Sequence, residues 1–121
     1  MSVPRINHSE FKFCEILWEN EPISSPELIK LCREKLEWNK STTYTIIRRL
    51  AERGVINFEN KTVTSVVSRE EAQEAESTSV IDRSFAGSLP GFVATFVGSR
   101  KLSEKEIDEI QKILDECRKK I

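Results

Sequence analysis

Between Trp38 and Gly54 the chain reads WNKSTTYTIIRRLAERG. Lys40, Ser41, Thr42, Tyr44, Thr45, Arg48 and Arg49 lie within this stretch, close together and of complementary types. Hydroxyls both donate and accept hydrogen bonds, threonine methyls suit a thymine methyl, and ammonium and guanidinium groups meet phosphate. This is the chemistry of recognition without bond breaking. The single histidine, His8, stands at a helix start, and no nucleophile–base pair, phosphate-binding loop or dinucleotide fingerprint accompanies it. Cys14, Cys32 and Cys117 are widely spaced and form no CxxC or CxC pair. The reading is therefore a binding protein: no enzyme, no cofactor and no metal site are expected. The cysteines read as buried, small, apolar side chains, reduced in a cytoplasmic protein.

The 38–54 segment needs a frame to present it, and the flanking periodicity supplies one. Asn39 is the expected cap of an amphipathic helix, with Thr43, Ile46, Ile47 and Leu50 facing inward and Gly54 ending it. Upstream, Asn7 with Glu10 makes a capping-box start. Phe13, Cys14, Leu17 and Trp18 then form one buried face, and Asn20-Glu21-Pro22 ends that helix. Ser24 with Glu27 repeats the box, with Pro26 in the first turn and Leu28, Leu31, Cys32 and Leu36 inward. Trp38, just before a cap, reads as a core anchor. After Gly54 the pattern turns extended: Val55, Ile56 and Phe58, a turn at Glu59-Asn60-Lys61, then Val63 to Val67. Helix, helix, helix and a two-stranded wing is the order of a winged helix-turn-helix DNA-binding domain. Lys61 at the wing turn joins the candidate DNA contacts.

Near Ser68 the character shifts. A Ser68–Glu71 box opens an acidic helix, Gly87, Pro90 and Gly91 punctuate the chain, LPGFVATFV is strongly apolar, and Ser103 with Glu106 caps a last helix. The expected organisation is a winged-helix domain over 1–68 and a helical dimerisation domain over 69–121, mostly α with a small β wing. Ile81, Phe85, Leu89, Phe92, Val93, Phe96, Val97, Ile107, Ile110 and Leu114 are more apolar surface than three short helices can hide. Pairing with a second copy would bury it, and a two-fold dimer would read two half-sites. Packing of these helices back onto the winged domain of a monomer is the plainer alternative.

The formal net charge of the 121 residues is −1, which alone argues mildly against a polyanionic partner. Its distribution matters more. Residues 38–54 carry Lys40, Arg48, Arg49 and Arg53 against Glu52, a local +3, with at least one arginine expected on a phosphate. With 38% hydrophobic and 32% charged residues the composition is that of a soluble globular chain. The longest apolar runs are too short for membrane insertion, and the N-terminus has no secretion signal.

The ordered set EFKFCEILWENEPISSPEL, WNKSTTYTIIRRLAERGVI, SFAGSLPGFVATFV and KLSEKEIDEIQKILDE resembles the BlaI/MecI/CopY family of bacterial regulators over nearly the whole chain. The resemblance implies a homodimeric repressor on a palindromic operator with a TACA/TGTA-like core. It aligns Ser41, Thr42 and Thr45 with groove-facing positions. Ser41 stands where lysine is common, Arg48 where the residue is usually apolar, Arg49 matches a common arginine, and Glu52 replaces a frequent lysine. One branch of the family is cleaved at an Asn–Phe bond after a membrane sensor system acts, which implies a protease or sensor partner. Here the pair is Thr95-Phe96. The copper branch carries CxC motifs near its C-terminus, where this chain has only Cys117. A reading from another class is a winged-helix protein–protein adaptor without sequence-specific DNA binding, which the net charge and Glu52 favour.

Overall fold

The computed structural model describes residues 3–121. The elements in chain order are α1 (His8–Asn20), β1 (Ile23–Ser24), α2 (Ser25–Leu36), α3 (Lys40–Glu52), β2 (Ile56–Glu59), β3 (Thr62–Ser65), α4 (Arg69–Phe85), α5 (Leu89–Ser99) and α6 (Glu104–Arg118). They form two compact units that divide after Thr78, inside α4. The compositional shift at Ser68 lies ten residues earlier. The difference has a physical source: Ala72, on the first turns of α4, is buried in the core of the first unit.

In that unit α1, α2 and α3 close around Phe13, Leu17, Leu28, Ile47 and Leu50, all without solvent exposure. Short-range polar groups set the helix ends. The Asn7 side chain accepts from the Glu10 amide at 2.9 Å while Glu10 accepts from the Asn7 amide at 3.0 Å. Ser24 accepts from the Glu27 amide at 3.3 Å, which is half of the expected box. The two tryptophans expected in the core are half-buried. Trp38 stacks on Phe13 with ring centroids 6.4 Å apart. Trp18 lies at the margin because its indole N–H donates to the Val67 carbonyl at 3.0 Å and Arg69 covers its ring. An indole needs such a partner, and that pulls it toward the polar edge.

β2 and β3 pair antiparallel from Ile56↔Ser65 to Glu59↔Thr62. Their two-residue turn holds Asn60 at φ 50° and Lys61 at φ 62°, the left-handed pair of a hairpin turn matched to strand twist. A third strand escapes the periodicity. β1, only two residues long, pairs with β3 through Ile23↔Val63 and Ser24↔Thr62, giving the order β1-β3-β2. The Glu21 carboxylate also accepts from the Ser65 amide and hydroxyl at 2.8 and 2.9 Å. The wing is thus fastened at its root to the end of α1.

The second unit comprises the end of α4, α5 and α6. The Ser88 side chain caps α5, and Ser103 with Glu106 forms the capping box of α6. Phe92 sits between Phe85 and Phe96, at 5.3 and 6.0 Å. Neither α5 nor α6 contains a buried residue. Cys14 and Cys32 are buried as expected, whereas Cys117 is exposed. It stands on α6, whose apolar residues Ile107, Ile110, Ile113 and Leu114 are exposed as well. Among the described residues no helix is long and apolar enough to cross a membrane.

Candidate nucleic-acid interface

The frame of α3 is fixed at both ends. At the start, the Asn39 side chain accepts from the Thr42 amide at 2.8 Å, and the Thr43 hydroxyl, fully buried, donates to the Asn39 carbonyl at 3.1 Å. At the end, the Gly54 amide donates to Ala51 and the Val55 amide to the Leu50 carbonyl, at 3.2 and 2.9 Å. This double closure needs a left-handed residue, and Gly54 takes φ +77° there. Val55 and Leu50, both buried, pack across the join.

Burial of Thr43, Ile46, Ile47 and Leu50 turns the remaining positions outward. Lys40, Ser41, Thr42, Thr45, Arg48 and Arg49 are exposed and Tyr44 is half-buried. The structure thus brings seven of the eight sequence-derived contact candidates onto the outer surface of one helix. The Lys40 ammonium lies 5.9 Å from the centroid of the Tyr44 ring. The Thr45 hydroxyl donates to the Ser41 carbonyl at 3.0 Å, leaving its oxygen as an acceptor. The eighth candidate, Lys61, is exposed on the wing turn, on a separate element.

Arg53 corrects the local charge count. Its guanidinium holds the Glu10 carboxylate through two bonds, at 2.8 and 3.1 Å, and also donates to the Arg5 carbonyl. Glu10 is fully buried. Burial alone pushes the Glu10 carboxyl upward, but the Arg53 hydrogen bonds, the Asn7 amide and the charges of Arg53 and Arg49 outweigh it and leave it below its usual value. Arg53 is therefore a strut between α1 and the end of α3. Its partner lies 43 residues away, a separation that no local pattern reveals. The capping-box reading found Glu10 but could not show that the same carboxylate serves this second purpose.

The cysteines of this unit offer no chemistry to the surface. Burial pushes the Cys14 thiol up to about 12 and the Cys32 thiol up to about 11, so neither provides thiolate near neutrality.

Residues 6–116 match the penicillinase repressor family. The penicillinase repressor of Bacillus licheniformis is 27% identical over 118 residues, covering 94% of this chain and 92% of that protein. The methicillin resistance regulatory protein MecI of Staphylococcus aureus is 28% identical over 114 residues, covering 91% and 93%. Among solved structures, the DNA-binding domain of the repressor BlaI superposes with a TM-score of 0.53 at 22% identity, covering 59% of this chain and 93% of that one. The monomeric form of Bacillus licheniformis BlaI in complex with the blaP half-operator gives 0.51 at 23%, covering 58% and 90%. The winged-helix fold read from the sequence is shared with both. With the family model running from before α1 through the wing and into α6, the chain belongs to the penicillinase repressors, a family of transcriptional repressors and not of enzymes.

Proposed function

We propose that this repressor works as a homodimer on a palindromic double-stranded operator with a TACA/TGTA-like core. The observation that carries the reading is the exposed hydroxyl and basic surface of α3, held on a rigid frame by caps at both ends. Lys40, Ser41, Thr42, Tyr44, Thr45, Arg48 and Arg49 face the major groove and Lys61 reaches the adjacent backbone from the wing. The half-operator complex of the Bacillus licheniformis relative supports DNA as the partner. Ile81, Phe85, Leu89, Phe92, Val93, Phe96, Val97, Ile107, Ile110 and Leu114 form the dimer contact. Leu89, Val93, Phe96, Val97, Ile107, Ile110 and Leu114 are all more than 40% exposed in the single chain, and a second copy would bury them. Release by a protease at Thr95-Phe96 would have to open α5, since that bond lies inside the helix.

The test is fluorescence anisotropy against a TACA-type palindrome and a scrambled duplex across a salt series. Preference for the palindrome, with affinity falling steeply as salt rises, is the expected result. Thr45→Ala should weaken binding to the palindrome by roughly tenfold without changing the oligomeric state. Equal, weak binding to both duplexes would favour the adaptor reading, which the net charge of −1 and the exposed Glu52 on α3 support.

A further inference from the structure

The outer surface of α3 is not uniform. At about 100° per residue, Ser41, Thr45, Arg48 and Glu52 fall within roughly 30° of the direction opposite the buried face. Thr42 and Arg49 lie on one flank of this stripe, Lys40 and Tyr44 on the other. All four stripe residues are exposed. A helix laid in the major groove presents its outermost stripe to base edges and its flanks to the phosphate walls.

On that stripe Ser41 and Thr45 are short, and the Thr45 hydroxyl proton is already given to the Ser41 carbonyl. Arg48 is the one long donor. Among the described residues no ion pair or hydrogen bond engages its side chain. A guanidinium fork fits two acceptors side by side, and guanine presents N7 and O6 in that arrangement on the major-groove edge. Glu52, one turn further along the same stripe, sharpens the choice. Its carboxylate is repelled more strongly by the full charge of a phosphate than by the partial charges on N7 and O6, so it weighs against docking of Arg48 on the backbone. Resting on the repressor reading above, we infer that Arg48 is a specificity-determining residue that reads one guanine in each half-site through N7 and O6.

Selection of operators from a random duplex pool, followed by anisotropy, tests this. The intact chain should select a palindrome with one invariant guanine per half-site. Replacing that guanine by 7-deazaguanine should weaken binding by roughly tenfold. Arg48→Ala should lose the preference at that position alone and become indifferent to the 7-deaza substitution. Arg48→Lys should recover part of the preference. If Arg48→Ala instead weakens every duplex equally with a shallower salt dependence, Arg48 is a phosphate contact and the inference falls. An unchanged base profile in Arg48→Ala, with the palindrome still selected, overturns the guanine assignment and leaves the repressor reading standing. If the intact chain selects no palindrome, the repressor reading itself fails and this inference with it.

Discussion

The two units use their apolar residues in opposite ways. Among the described residues, every buried apolar side chain lies at or before Ala72, while all the exposed large ones except Val66 lie at or beyond Leu89. Both regions are amphipathic helices with good caps, so helix formation does not separate them. What separates them is closure. In the winged unit three helices and a small sheet surround one cluster. The C-terminal unit has helices whose apolar faces find too little of their own chain to cover. The winged fold closes its core within one copy, while the second region leaves its large apolar side chains exposed.

That contrast can be broken by substitution. The largest effect should come from Phe13→Ala, which removes an unexposed ring from the closed core and should cost about 3–5 kcal/mol in urea unfolding. Leu114→Ala, at 56% exposure, should stay within roughly 0.5 kcal/mol for the isolated chain and show a larger effect only at concentrations where chains associate. Equal costs at the two sites would mean that the C-terminal region is closed after all.

Arg53→Met probes what the closed unit depends on besides apolar packing. It strands the Glu10 carboxylate in the core and should cost about 3 kcal/mol, the low end for a broken buried pair, since the Arg53 side chain is 37% exposed. The folded chain lowers the proton affinity of Glu10. The pair's contribution is therefore full above the ordinary glutamate range and is lost as pH falls through the lowered value. Stability measured by urea unfolding along an acid series should show that loss in the parent chain and a flatter profile in Arg53→Met.

Phe96→Glu addresses the open region directly. Sedimentation should show self-association weakened by more than roughly thirtyfold, the scale of an interface hot spot, with the far-ultraviolet dichroism kept. A chain that remains associated would place the contact elsewhere. A modest effect belongs to Gly54→Ala. No atom lies within 4 Å of the added methyl, so the cost is conformational only, about 1 kcal/mol in thermal unfolding.

Much of the fold was legible because its signals are local. The caps at Asn7, Ser24, Asn39 and Ser103 act over three residues, and the inward stripe of α3 repeats within two turns. The hydroxyl and basic surface of α3 was legible for the same reason, being the complement of that stripe. What escaped is long-range. β1 is two residues defined only by β3, about forty positions on, and no alternation can show in so short a strand. The Glu10–Arg53 pair hid a buried carboxylate beneath a capping signal and made Arg53 look like a free surface charge. Cys117 read as buried because its residue type usually is, yet it lies on α6, which has no buried residue.

The four stripe residues of α3 have a consequence for how such a protein can change over generations. Ser41, Thr45, Arg48 and Glu52 are exposed, and among the described residues their side chains make no bond to any other element. Exchanging them costs the frame almost nothing, because caps, core and strut all lie on other faces of the helix. Duplicated copies of the gene could drift apart at these positions without first acquiring stabilising substitutions elsewhere. Divergence of binding preference is thus decoupled from the risk of unfolding.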